Sequence, residues 1–123
     1  MAINLMLVFL GGGIGSVLRY LVGVWVSGWT PMNFPWGTFL VNIIGSLVIG
    51  IIYGLVLSSS QTGEIQKLLL ITGFCGGFTT FSAFSYENMA LLQIGAYDRF
   101  LLYALSSVLL GLFMVFVGYK LAS

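Results

Sequence analysis

Charge is almost absent from this sequence, and that limits more than anything else what it can fold into. Four basic and three acidic side chains serve 123 residues, 6% of the chain, where a soluble domain carries roughly a quarter. They are Arg19, Lys67, Arg99 and Lys120 against Glu64, Glu87 and Asp98. With 59% of residues apolar or aromatic and a mean hydropathy of +1.11, too little polar surface exists to cover a globule in water. The chain reads instead as an all-α integral membrane protein. Apolar stretches at about 3–26, 36–57, 66–93 and 100–121 each reach the ~20 residues that a helix needs to cross the hydrocarbon core. They account for a single transmembrane domain over 1–123, with connections too short to hold another.

The same scarcity excludes most chemistry. No histidine is present, which removes the usual general base and the commonest metal ligand. Cys75 is the lone cysteine, so neither an internal disulfide nor a thiolate cage can form. A net charge of +1 offers no basic patch for nucleic acid. The run Gly11-Gly12-Gly13-Ile14-Gly15 is followed by no Lys-Ser or Lys-Thr, and it lacks the spacing of a dinucleotide fingerprint. The first span has no basic leader and contains Arg19, so it is expected to be a retained helix rather than a signal peptide. The reading is not an enzyme.

Loops are expected at 27–35, which holds both prolines, at 58–65, and around Gly95, Tyr97, Asp98 and Arg99. Trp25, Trp29 and Trp36 bracket the first loop, as an interfacial aromatic belt would. Four spans place both termini and the second loop on one side, with Lys67 and Lys120. Arg99 lies opposite, joined by Arg19 if it reaches that interface. This near tie in positive charge is what a protein inserting in both orientations would show. A fixed orientation set by the amino terminus and Lys67 is the plainer alternative.

Polar and small residues recur at helical spacing: Gly11, Gly15, Arg19 and Gly23; Thr38, Asn42, Ser46, Gly50 and Gly54; Tyr103, Ser107 and Gly111. Glycines so spaced allow close backbone approach in a membrane. Arg19 has two readings, snorkelling to the interface or facing a wet vestibule that attracts an anion. Asn42 can bond a neighbouring helix or line a pathway. The third span carries Gly73-Phe74-Cys75-Gly76-Gly77-Phe78-Thr79-Thr80-Phe81-Ser82-Ala83-Phe84-Ser85, whose glycines and hydroxyls make poor regular helix. A mere kink is one reading. A true break near the middle of the span is the other, with freed carbonyls suited to a hard monovalent cation and freed N–H groups to an anion. Phe81 and Phe84 share a face, which by itself points to lipid or core. Glu87 reads as a structural carboxylate or as part of an ion path, and Cys75 as packing.

Three segments make the sequence recognisable: Gly11 through Tyr20, Gly37 through Gly45, and above all Gly73 through Glu87. Together they resemble the Fluc (CrcB) family of fluoride channels, over essentially the whole chain. The resemblance implies an antiparallel, dual-topology homodimer in a bacterial cell membrane, surrounded by lipid, with two pores for passive fluoride efflux. It also implies a sodium ion at the dimer centre, held by the backbone carbonyls of Gly76 and Thr79 of both subunits. Phe81 and Phe84 match the phenylalanines of the pores, Asn42 the pore asparagine and Arg19 the first-helix arginine. Thr80 and Ser82 belong to the hydroxyls of the path, and Tyr103 and Ser107 to a polar track. Gly111 stands where some relatives carry a further hydroxyl.

These imported roles are physically reasonable. Fluoride is small and strongly hydrated, so a pore must replace its water with donors. The Asn42 amide and the Ser, Thr and Tyr103 hydroxyls can donate, while the electropositive edges of Phe81 and Phe84 can touch the anion. A nearby cation and Arg19 raise the local potential. Three other readings compete. A small four-helix multidrug or cation exporter needs a carboxylate in the first span, where this chain has Arg19. A structural subunit of a larger complex explains the glycines but not the hydroxyl–phenylalanine pattern. One half of an obligate heterodimeric fluoride channel would be expected to keep only part of the pore set.

Overall fold

The computed structural model describes residues 1–31, 33–58 and 63–123, without the side chains of 57 and 58. Met32 of the first expected loop and residues 59–62 of the second lie outside the described residues. Helix α1 covers Ala2–Ser27, α2 Trp36–Ser58, α3 residues 64–78, α4 Phe81–Gln93 and α5 Tyr97–Ala122. All regular structure among the described residues is helical. With α3 and α4 counted as one span, four helices are long and apolar enough to cross a membrane. The helices outrun the apolar stretches by up to three residues, most at α5, whose first turn is the polar Tyr97-Asp98-Arg99. Gly95, with φ of 76°, turns the chain from α4 into α5, a backbone conformation that glycine adopts without steric cost.

Two backbone-to-backbone seams join the helices. In the first, α1 lies on α3: a Cβ on Gly11 would strike the Leu69 carbonyl, one on Gly15 the Phe74 carbonyl, and one on Gly77 the Gly12 carbonyl. In the second, α2 lies on α5: Gly50 meets the backbone of Val115, Gly54 that of Tyr119, and Gly118 the Leu47 carbonyl. Side chains are thus absent where the backbones cross, the small-residue packing expected between apolar helices in lipid. Gly50 and Gly54 are packing residues, as their spacing predicts. Cys75 is buried at 2% exposure, also a packing position.

The glycines of the third span do not themselves break it. Residues Lys67–Cys75 wind as a π-helix and Gly76–Phe78 return to α-geometry. This wider winding, rare outside single turns, sets Gly73 against Gly11, where its Cβ would stand 3.1 Å from the Gly11 Cα. Helical geometry ends one step later, at Thr79 and Thr80, which are extended (φ −88°, ψ 159° and φ −150°, ψ 119°). Beside the break Tyr103 is wholly buried, with Leu91 and Ala96, and ringed by Phe34, Phe39, Phe84 and Phe100.

Candidate functional site

A break inside an apolar span leaves backbone groups that must find partners in protein or face a cavity. Side chains from two other helices supply them here. Asn42 Nδ2 on α2 donates to the Thr80 carbonyl at 3.1 Å, and Asn42 Oδ1 accepts the Thr80 N–H at 2.8 Å. Arg19 Nε on α1 donates to the Gly77 carbonyl at 3.0 Å. The hydroxyl and N–H of Thr79 both donate to the Cys75 carbonyl, at 2.8 and 3.0 Å. Thr80 Oγ1 accepts the Ala83 N–H at 3.2 Å and so caps α4, the usual role of a threonine at a helix start.

This stitching has a consequence for two carbonyls. In a continuous helix the Gly76 oxygen would accept from the N–H of residue 80, and the Thr79 oxygen from that of residue 83. Both donors are turned elsewhere, to Asn42 and to the Thr80 hydroxyl. The carbonyls that sequence resemblance assigns to a sodium ion are among those whose helical donors the break turns elsewhere. Gly76 is exposed on the chain's surface, and a Cβ there would have nothing nearer than the Ile71 carbonyl at 3.9 Å. Among the described residues no three His, Cys, Asp or Glu side chains gather as metal ligands. A cation placed here would meet backbone oxygen, the kind of ligand that suits a hard monovalent ion at an unwound helix.

On the other side of the stitch, Asn42, Thr79, Thr80, Phe81, Phe84, Ser107 and Val108 line a cavity of about 250 Å³. Six sequence-predicted residues thus meet in one place. The Phe81 and Phe84 rings lie 5.8 Å apart and tilted by 40°. Phe84 is half-buried, whereas Phe81 is 77% exposed. Ser107 Oγ is buried with no hydrogen-bond partner, so its proton is available to a ligand. No carboxylate lines this cavity. Arg19 lines a neighbouring space of about 320 Å³ together with Thr38 and Thr80, and Thr80 borders both. Arg19 therefore does not simply snorkel. It ties down the break and borders a cavity, without an ion pair among the described residues.

Two of the residues predicted for the fluoride path lie outside both cavities. Ser82 is exposed, its hydroxyl 3.3 Å from that of Thr80. Tyr103 sits behind Phe84, ring centroids 5.0 Å apart, and its hydroxyl donates to Glu87 Oε1 at 2.9 Å. Thr38 Oγ1 donates to Glu87 Oε2, also at 2.9 Å. Each carboxylate oxygen of Glu87 thus has a donor, which makes it the hub linking α2, α4 and α5. Gly111 faces Ser46, whose hydroxyl would stand 3.5 Å from an added Cβ, and the Ser46 hydroxyl itself donates to the Asn42 carbonyl at 2.7 Å.

Residues 6–119 match the family described as CrcB-like protein, Camphor Resistance (CrcB). The chain belongs to the CrcB family. Among its curated relatives, the fluoride-specific ion channel FluC of a Thermus thermophilus strain is 50% identical over 116 residues, covering 94% of this chain and 91% of the relative. The protein of the same name from Phocaeicola vulgatus is 49% identical, covering 94% of each chain, and that from Agrobacterium fabrum 46% identical, covering 97% and 95%. Members of the CrcB family with these names are channels and not enzymes, and this chain is not an enzyme either. Its four apolar spans and bacterial relatives make it a multi-pass bacterial membrane protein.

Sequence reasoning missed three features of the site. Thr38 shares the polar stripe of Asn42, but its partner Glu87 is 49 positions away. The pairing of Glu87 with Tyr103 joins two residues that the sequence reads separately. The aromatic ring of Phe34 and Phe39 around Tyr103 depends on how the first loop folds back, with Phe34 5.3 Å from Tyr103. Each is a long-range contact without a local signal. Charge offers one clue: a carboxylate amid apolar sequence needs donors, and hydroxyls in the spans supply them.

Proposed function

We propose that this chain is a fluoride-selective ion channel that lets fluoride leave the cell passively across the cytoplasmic membrane. One observation carries the reading. At the helix break an amide, an unpartnered hydroxyl and two phenyl rings converge on one cavity that no carboxylate lines. Such a site can replace fluoride's water with N–H, O–H and aromatic C–H donors. It lacks the negative group a cation carrier would need. The naming of close relatives as fluoride-specific ion channels supports the same conclusion. Arg19 draws the anion toward the break, and fluoride passes by Asn42, Thr80, Phe81, Phe84 and Ser107. Ser82 and Tyr103 complete the polar surroundings, Ser82 from the exposed side and Tyr103 through Glu87.

The working unit is an antiparallel, dual-topology homodimer with two pores. A single chain leaves Phe81 77% exposed and Gly76 on the surface, so both the pore wall and the carbonyl pair are incomplete until a second copy closes them. The near-equal basic charge on the two sides permits the opposite insertion that such a dimer requires. A sodium ion at its centre would be held by the Gly76 and Thr79 carbonyls of both copies. When bound it supplies positive charge beside an anion path.

The test is fluoride release from liposomes reconstituted with the purified chain alone, followed with a fluoride electrode. A potassium gradient with valinomycin supplies the driving force. Rapid fluoride efflux with no chloride leak is expected. Silence from folded protein that recovers on adding a second homologous chain would assign it to a heterodimer. Proton-coupled export of organic cations without fluoride flux would replace the channel with an exporter.

A further inference from the structure

A cavity larger than the two at the helix break lies off the proposed ion path. It measures about 660 Å³ and lies at the level of the first loop, between that loop, α2 and the start of α5. Its two ends differ in chemistry. Arg99 stands at the loop end, fixed by a 2.7 Å hydrogen bond from Nη1 to the Asn33 carbonyl. Among the described residues the guanidinium makes no other hydrogen bond and no ion pair, so its remaining donors are open. Below it the lining is apolar, with Phe34, Trp36, Phe39 and Leu102. Arg99, Leu102 and Ser106 follow one face of α5 at spacings of three and four, so the groove runs roughly 10 Å along the helix from the interface into the hydrocarbon. Trp29, 66% exposed, and Trp36 mark the interfacial level.

We propose that this groove is a binding site for an anionic phospholipid, with its headgroup phosphate on Arg99 and one acyl chain against Phe39 and Leu102. Charge complementarity selects this occupant. An apolar groove alone would accept any lipid tail, but Arg99 is held by the Asn33 carbonyl and makes no ion pair among the described residues. Glu87, which borders a neighbouring cavity with it, is already bonded to Thr38 and Tyr103, so the guanidinium presents its fork to a phosphate. Arg99 supplies the positive charge at this groove, and one basic group near an anionic headgroup is enough to produce a measurable preference. In the antiparallel dimer proposed above, one such groove would open to each leaflet. The site stands apart from the ion path: neither Arg99 nor Leu102 borders the Asn42–Phe81 cavity. Its test does not depend on fluoride.

Native mass spectrometry of the detergent-purified protein, titrated with phosphatidylglycerol or phosphatidylcholine, reads the preference directly. The expected result is retention of phosphatidylglycerol about fivefold better than phosphatidylcholine, the effect of one guanidinium near an anionic headgroup. Arg99→Gln should bring the two lipids level, whereas Lys120→Gln, at the far end of α5, should leave the preference intact. Leu102→Trp, which fills the groove from a side chain already 61% exposed, should weaken retention of both lipids. Equal retention by the unaltered chain would overturn the proposal. So would a preference that survives Arg99→Gln but falls with Lys120→Gln. If Leu102→Trp disrupts the dimer and leaves lipid retention unchanged, the groove belongs to a second copy of the chain and not to lipid.

Discussion

The glycine seams and the stitched break solve opposite problems within one small helical protein. Along the seams, α1 on α3 and α2 on α5 meet backbone to backbone, and what matters is that no side chain intervenes. At the break, backbone has come apart and what matters is which polar atoms are present: Asn42, Arg19, Thr79 and Thr80. The seams are governed by volume and the break by donors and acceptors. Substitutions that enlarge without adding polarity should therefore damage the first, and substitutions that conserve shape but alter polarity the second.

The largest effect is expected where volume is least available. Gly15→Val places carbon on the Phe74 carbonyl, an overlap that backbone must move to relieve, at a cost of about 1–3 kcal/mol or more. Yield of folded protein by size-exclusion chromatography should collapse, and with it flux. Normal yield would show that α1 and α3 are not seamed as described. Next comes Asn42→Asp, nearly isosteric, which keeps the oxygen that accepts the Thr80 N–H but loses the N–H that donates to the Thr80 carbonyl. It also adds negative charge to an anion path. Fluoride flux should fall by roughly 10–100-fold or more, the loss of an N–H donor to the passing anion being worth about 1.5–3 kcal/mol, while the protein remains folded. Loss of folding with Asn42→Asp would make this residue structural alone.

A smaller effect belongs to the Glu87 hub. Tyr103→Phe removes the donor to Oε1 without changing shape, leaving a half-partnered carboxylate at a cost of about 1–3 kcal/mol, read as a lower thermal midpoint in detergent. An unchanged midpoint would mean that this hydrogen bond carries no weight. Gly111→Ala should be the mildest. The new methyl would sit 3.5 Å from the Ser46 hydroxyl, an ordinary contact, and stability should stay within about 0.5 kcal/mol. A large loss there would show that the second seam extends further toward Ser46 than described.

What is legible in the sequence follows the same division. The spans are readable because apolar length is a local property, and the glycine faces because period 3.6 is visible along one helix. The broken third span is readable in kind, from glycines and hydroxyls together, but not in mechanism. Gly73 and Gly77 sit in unbroken helix where α1 brings Gly11 and Gly12 against them, and that is a tertiary fact. Asn42 is legible as a polar residue that needs a reason, yet only its contact with Thr80, 38 positions away, shows that it replaces helical hydrogen bonds. Glu87 keeps two readings for the same cause: its donors Thr38 and Tyr103 lie on other helices. Position within a helix can be read from the chain, and partnership between helices cannot.

The most direct test of the account is fluoride efflux from liposomes containing the purified chain, measured beside Phe81→Ile, with chloride as the control ion. Phe81 is 77% exposed and takes part in neither seam, so its replacement removes an aromatic edge from the cavity without disturbing the fold. The account predicts fast, chloride-free fluoride efflux from the unaltered chain and near-silence from a variant that elutes as the same folded species. Equal fluoride efflux from both would contradict it, placing the path somewhere other than the cavity at the stitched break.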